Sequence, residues 1–166
     1  MRDEWNTPTF MKTASANDVC QFLATGADVN MRDGEEGWTP LHWAAEYSKL
    51  PGPAKALIKA GADVNAQDDD GWTPLRHAAA LRQNGIEIVA LLLKAGADPN
   101  ARDHCGLTVP HTVALWNGPP GVISALIEAG ADPTSRMKDG NTPCDLIETN
   151  SPLHGTEIHR TLAKCR

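Results

Sequence analysis

Side chains that often act in catalysis are present in this sequence, but their arrangement does not support catalysis. No serine lies in a Gly-x-Ser-x-Gly elbow, and no glycine-rich phosphate-binding motif occurs. His104 and Cys105 are adjacent and could each bind a metal, but two ligands do not make a metal site. Asp68, Asp69 and Asp70 lack the alternating spacing of a calcium-binding loop, so we expect them at a solvent-exposed turn. The sequence therefore predicts no catalytic residue, no metal and no cofactor.

The composition excludes several classes of function. The chain has 166 residues, 41% of them hydrophobic, and a formal net charge of −6. Such an acidic chain lacks the basic surface to which nucleic acids and anionic membranes bind. No apolar run approaches the roughly 18 residues of a membrane span, and Asp3 and Glu4 stand where a signal peptide would be basic. We therefore expect a cytoplasmic protein, with its four scattered cysteines as free thiols.

An internal repeat is the strongest signal in the sequence. Gly-Ala-Asp begins at Gly26, Gly61, Gly96 and Gly130, in steps of 35, 35 and 34 residues. A Gly-x-Thr motif recurs in phase with it, in steps of 34, 35 and 34 residues. Two independent motifs that keep the same period indicate a tandem array of structural units.

Each repeat is predicted to form two helices. A Thr-Pro pair such as Thr39-Pro40 places a hydroxyl at the N-cap and proline at the first helical position. An alanine pair such as Ala44-Ala45 follows and allows neighbouring helices to approach closely. The second helix carries aliphatic residues at helical spacing and ends at a glycine such as Gly61, which supplies a left-handed C-cap. A polar turn then leads to the next unit.

These motifs resemble the ankyrin repeat over nearly the whole chain. The resemblance is carried by Thr39-Pro40-Leu41-His42-Trp43-Ala44-Ala45, Gly61-Ala62-Asp63-Val64-Asn65 and Thr73-Pro74-Leu75-Arg76-His77-Ala78-Ala79. It implies an all-α repeat solenoid of helix-turn-helix units joined by β-hairpin-like loops. We expect one domain over residues 1–166 with five units at about 1–36, 37–70, 71–105, 106–139 and 140–166, the outer two being degenerate caps. The resemblance also implies that His42 and His111 bond turn backbones.

The chain departs from the family pattern mainly in the turn between the two helices of a unit. Residues 48–53, 82–85 and 117–121 form lengthened turns. Surface loops tolerate insertions, but these turns could alternatively form a second contact rim. In the fourth unit Val109-Pro110 replaces the usual Pro-Leu. Proline stays within the first turn there, so we expect the helix to persist.

Tryptophan provides the candidate binding residues, because five of the eight aromatic residues are Trp. The resemblance places the residue before the repeat threonine, and those around the alanine pair, on the concave side. The predicted protein-binding residues are Trp38, Trp43, Tyr47, Trp72, Leu81 and Trp116. Interface hot spots are rich in Trp and Tyr, but the rings could alternatively pack along the array. Acidic turn residues such as Glu35 and Glu36 would rim this stripe and favour a basic partner surface.

The resemblance implies a non-catalytic module that binds another protein through its concave face, and we expect it to be monomeric. Alternatives are an inhibitor or accessory subunit of a partner enzyme, a secreted host-directed bacterial effector, and an array that self-associates through its tryptophans.

The family's asparagine at Asn30, Asn65 and Asn100 can be hydroxylated by an oxygenase in animal cells. The alternative is that each asparagine side chain bonds its own turn.

Overall fold

The computed structural model describes residues 5–80, 85–147, 151 and 153–164, and its helices come in successive pairs. In chain order they are α1 (Pro8–Thr13), α2 (Ala16–Ala24), α3 (Pro40–Tyr47), α4 (Gly52–Lys59), α5 (Pro74–Ala80), α6 (Gly85–Lys94), α7 (Val109–Leu115), α8 (Pro120–Glu128), a 3₁₀ helix (Pro143–Leu146) and α9 (Glu157–Lys164). No strand occurs among the described residues. The predicted all-α repeat solenoid is confirmed.

The first helix of each pair begins where the threonine and proline motif predicts. Helix α3 starts at Pro40, and the backbone N–H of Thr39 donates to Nδ1 of His42 at 3.1 Å. Helix α7 starts at Val109 with the same arrangement, because the Thr108 N–H donates to His111 Nδ1 at 3.2 Å. The proline shifted by one residue in the fourth unit therefore leaves its helix intact, as predicted.

The first helices pack side by side in one continuous row, α1 on α3, α3 on α5, α5 on α7 and α7 on the 3₁₀ helix. In the second row α2 packs on α4 and α6 on α8. The alanine pairs lie fully buried in the first row, where a small side chain permits close helix approach. Helices α2, α4, α6 and α8 are each followed by a glycine with positive φ, as at Gly61 (93°) and Gly96 (94°).

Enlarging an alanine of the first row should overpack the contact between units. Ala44 and Ala78 are fully buried, so we expect Ala44→Leu or Ala78→Leu to lower the free energy of unfolding by about 1–3 kcal/mol. Urea titration followed by circular dichroism measures this change. Ala90→Leu, at an exposed position of α6, is the matched control and should change the free energy by less than about 0.5 kcal/mol. Equal effects at buried and exposed positions would contradict this packing.

The turns between pairs are hairpin-like and are each closed by a backbone hydrogen bond. Asp68 N–H donates to the Trp72 carbonyl at 2.9 Å, and Asp103 N–H donates to that of Leu107 at 3.1 Å. Adjacent turns are also joined, because Asp69 N–H donates to the Glu36 carbonyl at 3.0 Å. These bonds hold successive turns in register along one edge of the array. Within the described residues no helix is long and apolar enough to cross a bilayer.

Candidate protein-binding surface

Three of the predicted binding residues come together at the start of the second unit. Trp43 and Tyr47 are four residues apart on α3 and share a face, with ring centroids 5.7 Å apart. Trp38, in the turn just before α3, places its ring 4.3 Å from Trp43 and 6.5 Å from Tyr47. We call Trp38, Trp43 and Tyr47 the aromatic patch.

The three rings of the aromatic patch differ in their access to solvent. Trp38 is only 9% exposed, so its burial corresponds to the alternative in which rings pack along the array. Trp43 is half-buried, and Tyr47 is 38% exposed. Trp38 therefore supports the patch from beneath, while Trp43 and Tyr47 form its solvent-facing part. A partner contact through these residues stays a prediction.

The other predicted binding residues do not extend the patch in a simple stripe. Trp72 reaches it through His77, whose ring lies 5.2 Å from Trp72 and 4.2 Å from Trp38. Trp116 is 51% exposed at the end of α7, and among the described residues it makes no ring contact with the patch. Leu81 lies outside the described residues.

His77 connects the second and third units through two carboxylates. Its Nε2 lies 3.0 Å from Asp68, and its Nδ1 lies 3.4 Å from Glu46 on α3. Burial alone would lower the pKa of His77, but the hydrogen bonds to Asp68 and Glu46 outweigh burial and raise that pKa. The expectation of an exposed acidic tip is thus wrong for Asp68, which is buried, although Asp69 and Asp70 are exposed.

Asp68 is buried because its carboxylate also shapes the turn. Its Oδ1 accepts from the backbone N–H groups of Trp72 at 2.7 Å and Asp70 at 3.0 Å. Burial would raise the pKa of Asp68, but the bonds from His77 and the Trp72 backbone outweigh it and lower that pKa. Asp33 and Asp103 stand 35 residues to either side and accept turn N–H groups in the same way. These aspartates recur every 35 residues, so the sequence contained them as a third periodic signal beside the Gly-Ala-Asp and Gly-x-Thr motifs.

Arg76 is a structural residue that the motif comparison did not single out. It occupies the place of His42 and His111 in its unit, and it is buried. Its guanidinium donates to Asp103 and to the Thr112 hydroxyl, each at 2.9 Å, and also to the Leu107 carbonyl. The sequence signal for this role was arginine in the place of the family's histidine. Arginine is rarely buried without a carboxylate partner, so an arginine at this buried position indicates an ion pair.

His42 and His111 make the backbone bonds that the resemblance implies. His42 Nε2 bonds the Trp72 carbonyl and His111 Nε2 bonds that of Asn141, both at 3.1 Å. Burial, followed by the nearby positive charge of His77, lowers the pKa of His42 to about 4. Burial likewise lowers the pKa of His111. Both rings are therefore neutral at physiological pH.

The asparagines differ from their predicted role, because they bond the next unit and not their own turn. Asn30 donates to the Gly61 carbonyl at 3.4 Å and accepts from the Asp63 N–H at 2.8 Å. Asn65 and Asn100 repeat both contacts one unit further along. Both ends of each amide therefore join neighbouring units, and hydroxylation of these residues stays untested.

The described residues contain one group with the composition of a metal site. Ligand atoms of His42, Asp68 and His77 lie within 4.8 Å of one another. However, His42 already bonds Thr39 and the Trp72 carbonyl, and His77 bonds Asp68. Protein partners thus occupy these ligand atoms, so we assign the group to the contact between units and derive no metal chemistry from it.

Ser135 and Lys138 stand at a Ser-x-x-Lys spacing, which some enzymes use for nucleophilic catalysis. The structure gives both side chains other partners. Ser135 Oγ donates to Asp132 at 3.1 Å, and Lys138 Nζ donates to the His104 carbonyl at 2.5 Å. This spacing therefore does not form a serine–lysine pair of the kind used in nucleophilic catalysis.

The fold and this surface define a helical repeat protein whose first helices and turns present aromatic side chains. A family model described as ankyrin repeats, in three copies, matches residues 10–103, which is more than half of the chain. The chain belongs to the ankyrin repeat family. Ankyrin repeats are generally protein–protein interaction modules and are typically non-catalytic.

The chain is also similar to the acyl-CoA-binding domain-containing protein 4 of Oryza sativa subsp. japonica. The identity is 46% over 39 residues, which is 24% of this chain and 11% of that protein. The chain therefore corresponds to only a small part of the length of that relative. The match supports the repeat and carries no argument about the activity of the whole rice protein.

Proposed function

We propose that this array is a non-catalytic adaptor that binds a partner protein through the side formed by the first helices of the pairs. The predicted contacts are Trp38, Trp43, Tyr47, Trp72, Leu81 and Trp116, with the buried Trp38 acting by supporting its neighbours. The observation that supports this proposal most is the access of Trp43 and Tyr47 to solvent on one helix face. Partly exposed tryptophan and tyrosine side chains mark interaction surfaces because they remove much apolar area from water on binding.

Rigidity of the surface also favours binding. His42, Arg76 and His111 each bond a turn of the following unit, so the turns are held before any partner arrives. A surface that is already ordered loses little conformational entropy when a complex forms.

The proposal includes a cytoplasmic location and a monomeric state. A sedimentation mass that rises with protein concentration would instead indicate self-association.

Affinity capture from native-cell lysate, read by mass spectrometry, tests the proposed surface. We expect a partner retained by the wild-type array to be lost from the Trp43→Ala/Tyr47→Ala variant. Leu50→Ala is the matched control, because Leu50 is 71% exposed in the lengthened turn before α4. Circular dichroism of each variant establishes that it folds. Loss of the partner only in Leu50→Ala would contradict the proposal and favour the second contact rim.

A further inference from the structure

Trp72 shows how this chain covers the face of a tryptophan. The guanidinium carbon of Arg76 lies 5.4 Å from the centroid of the Trp72 ring, and the same guanidinium pairs with Asp103 at 2.9 Å. A delocalised cation is thus held between a tryptophan ring and a carboxylate, an arrangement that suits arginine. The second unit has Trp38 in the place of Trp72, but His42 stands in the place of Arg76 and is neutral.

The solvent-facing part of the aromatic patch also has acidic neighbours. Glu46 precedes Tyr47 on α3 and keeps 26% of its side chain exposed, and Glu36 lies exposed in the preceding turn. Burial, followed by the negative charges of Glu46 and Glu36, raises the pKa of the Tyr47 phenol. Glu46 lies on α3 between Trp43 and Tyr47, and Glu36 stands two residues before Trp38, so both carboxylates carry their charge beside the patch.

Two cations beside the patch, among the described residues, have carboxylate partners. His77 faces Asp68 and Glu46, and Arg32 pairs with Asp69 at 2.9 Å. Together with Glu36, the carboxylates named here number four, against the two cations Arg32 and protonated His77. The surroundings of Trp43 and Tyr47 therefore stay net negative, which is complementary to a positively charged ligand.

We propose that the aromatic patch, together with Glu36 and Glu46, binds an arginine side chain of the partner protein. This inference rests on the proposed function and specifies the chemistry of the partner at that site. The guanidinium would lie over the solvent-facing rings of Trp43 and Tyr47, with the two glutamates supplying the opposite charge. It would reproduce with a partner residue the pairing that Arg76 makes inside the third unit.

Arginine fits this surface better than lysine for two physical reasons. A guanidinium is planar and weakly hydrated, so it stacks on an aromatic face with little loss of hydration. Its fork of N–H groups can also reach a carboxylate while the plane stays on the ring. A lysine ammonium is compact and strongly hydrated, and it gains less from a flat aromatic surface.

Peptide titration provides the direct test. The probe is an acetylated and amidated Gly-Gly-Arg-Gly-Gly peptide, added to millimolar concentration to the ¹⁵N-labelled full chain. We expect saturable shifts of the indole N–H resonances of Trp38 and Trp43, which weaken as salt is added. The same peptide with neutral citrulline in place of arginine should bind about tenfold more weakly. Equal binding of the two peptides, or no saturable shift with either, would overturn the inference.

Variants of the chain locate the site. Trp43→Ala should weaken binding of the arginine peptide about tenfold, whereas Leu115→Ala, at an exposed residue at the end of α7, should leave it unchanged. Glu36→Gln, which removes one exposed charge, should weaken binding about two- to threefold at low salt. Equal losses in Trp43→Ala and Leu115→Ala would place the contact elsewhere.

Two further arms separate this inference from the proposed function. Peptides with lysine or dimethyl-lysine in place of arginine should bind more weakly, and tighter binding of either would overturn the assignment of arginine. If the Trp43→Ala/Tyr47→Ala variant loses its protein partner but the arginine peptide gives no saturable shift, the proposed function stands and the arginine assignment is wrong. If that variant retains its protein partner and the arginine peptide gives no saturable shift, both proposals are wrong.

Discussion

Arg76→Met is expected to lower the free energy of unfolding by about 3–5 kcal/mol, because it leaves the buried Asp103 carboxylate without its cation. Methionine preserves most of the length and apolar volume of the side chain, so the loss reports on charge and hydrogen bonding. The Leu107 carbonyl also loses the hydrogen bond that it accepts from the Arg76 guanidinium. The measurement is urea titration followed by tryptophan fluorescence and circular dichroism.

Arg102→Met is the matched control for this prediction. Arg102 also donates to backbone carbonyls, those of Gly106 and Arg136, each at 2.8 Å, but its side chain is exposed. We therefore expect the control to lose less than about 1 kcal/mol. Adding Asp103→Asn to Arg76→Met should cost less than Asp103→Asn alone, since the unpaired charge is removed. A loss below about 1 kcal/mol in Arg76→Met, or strict additivity in the double variant, would contradict the prediction.

The helices of this chain were predictable because their signals are local. Thr39 and Pro40 set the start of α3, and Gly61 follows the end of α4, all within one repeat length. The period of the repeat then extended the prediction to the units with weaker motifs. Such signals depend on backbone preferences of a few neighbouring residues, and the packing of units does not change them.

The contacts between units were not predictable in the same way. His42, Arg76 and Asn30 bond atoms about 30 residues away, so their partners depend on how adjacent units stack. Asp68 looked like part of an exposed acidic run, yet its neighbours Trp72 and His77 draw it into the structure. Sequence periodicity identified these positions as equivalent without showing which atoms meet.

The aromatic residues illustrate the same limit. Trp38 and Trp72 occupy equivalent positions before a repeat threonine, but one is covered by Trp43 and His77 and the other by His77 and Arg76. Side chains of the same unit and, for Trp38, His77 of the next unit decide how much of each ring remains exposed. A stripe of equivalent tryptophans in the sequence therefore becomes one patch with unequal access in the structure.

His42 should make the stability of the array depend on pH below about 6.5. Its pKa in the folded chain is about 4, against 6.5 for an ordinary histidine, so the unfolded chain takes up a proton that the folded chain excludes. The free energy of unfolding should thus fall by about 2 kcal/mol between pH 6.5 and 4.5. His111, whose pKa is also lowered by burial, acts in the same direction.

The other shifted groups act outside this window. His77 has a raised pKa, so its contribution is fully present below pH 6.5 and is lost as the pH rises through that raised value. Asp68 has a lowered pKa, so its contribution is present above pH 3.8 and is lost only in more acidic solution. Together with His42, these shifts predict maximal stability near pH 6.5.

The variant His42→Gln isolates the titration of this one ring. Glutamine at the third helical position can still accept from the Thr39 N–H, as in a capping box, but it does not titrate. The variant is expected to be less stable at every pH, because it loses the bond to the Trp72 carbonyl. Its free energy of unfolding should nevertheless change by about 2 kcal/mol less than that of the wild type between pH 6.5 and 4.5. Parallel pH profiles would show that His42 is protonated in the folded array and that its burial does not control the acid limb.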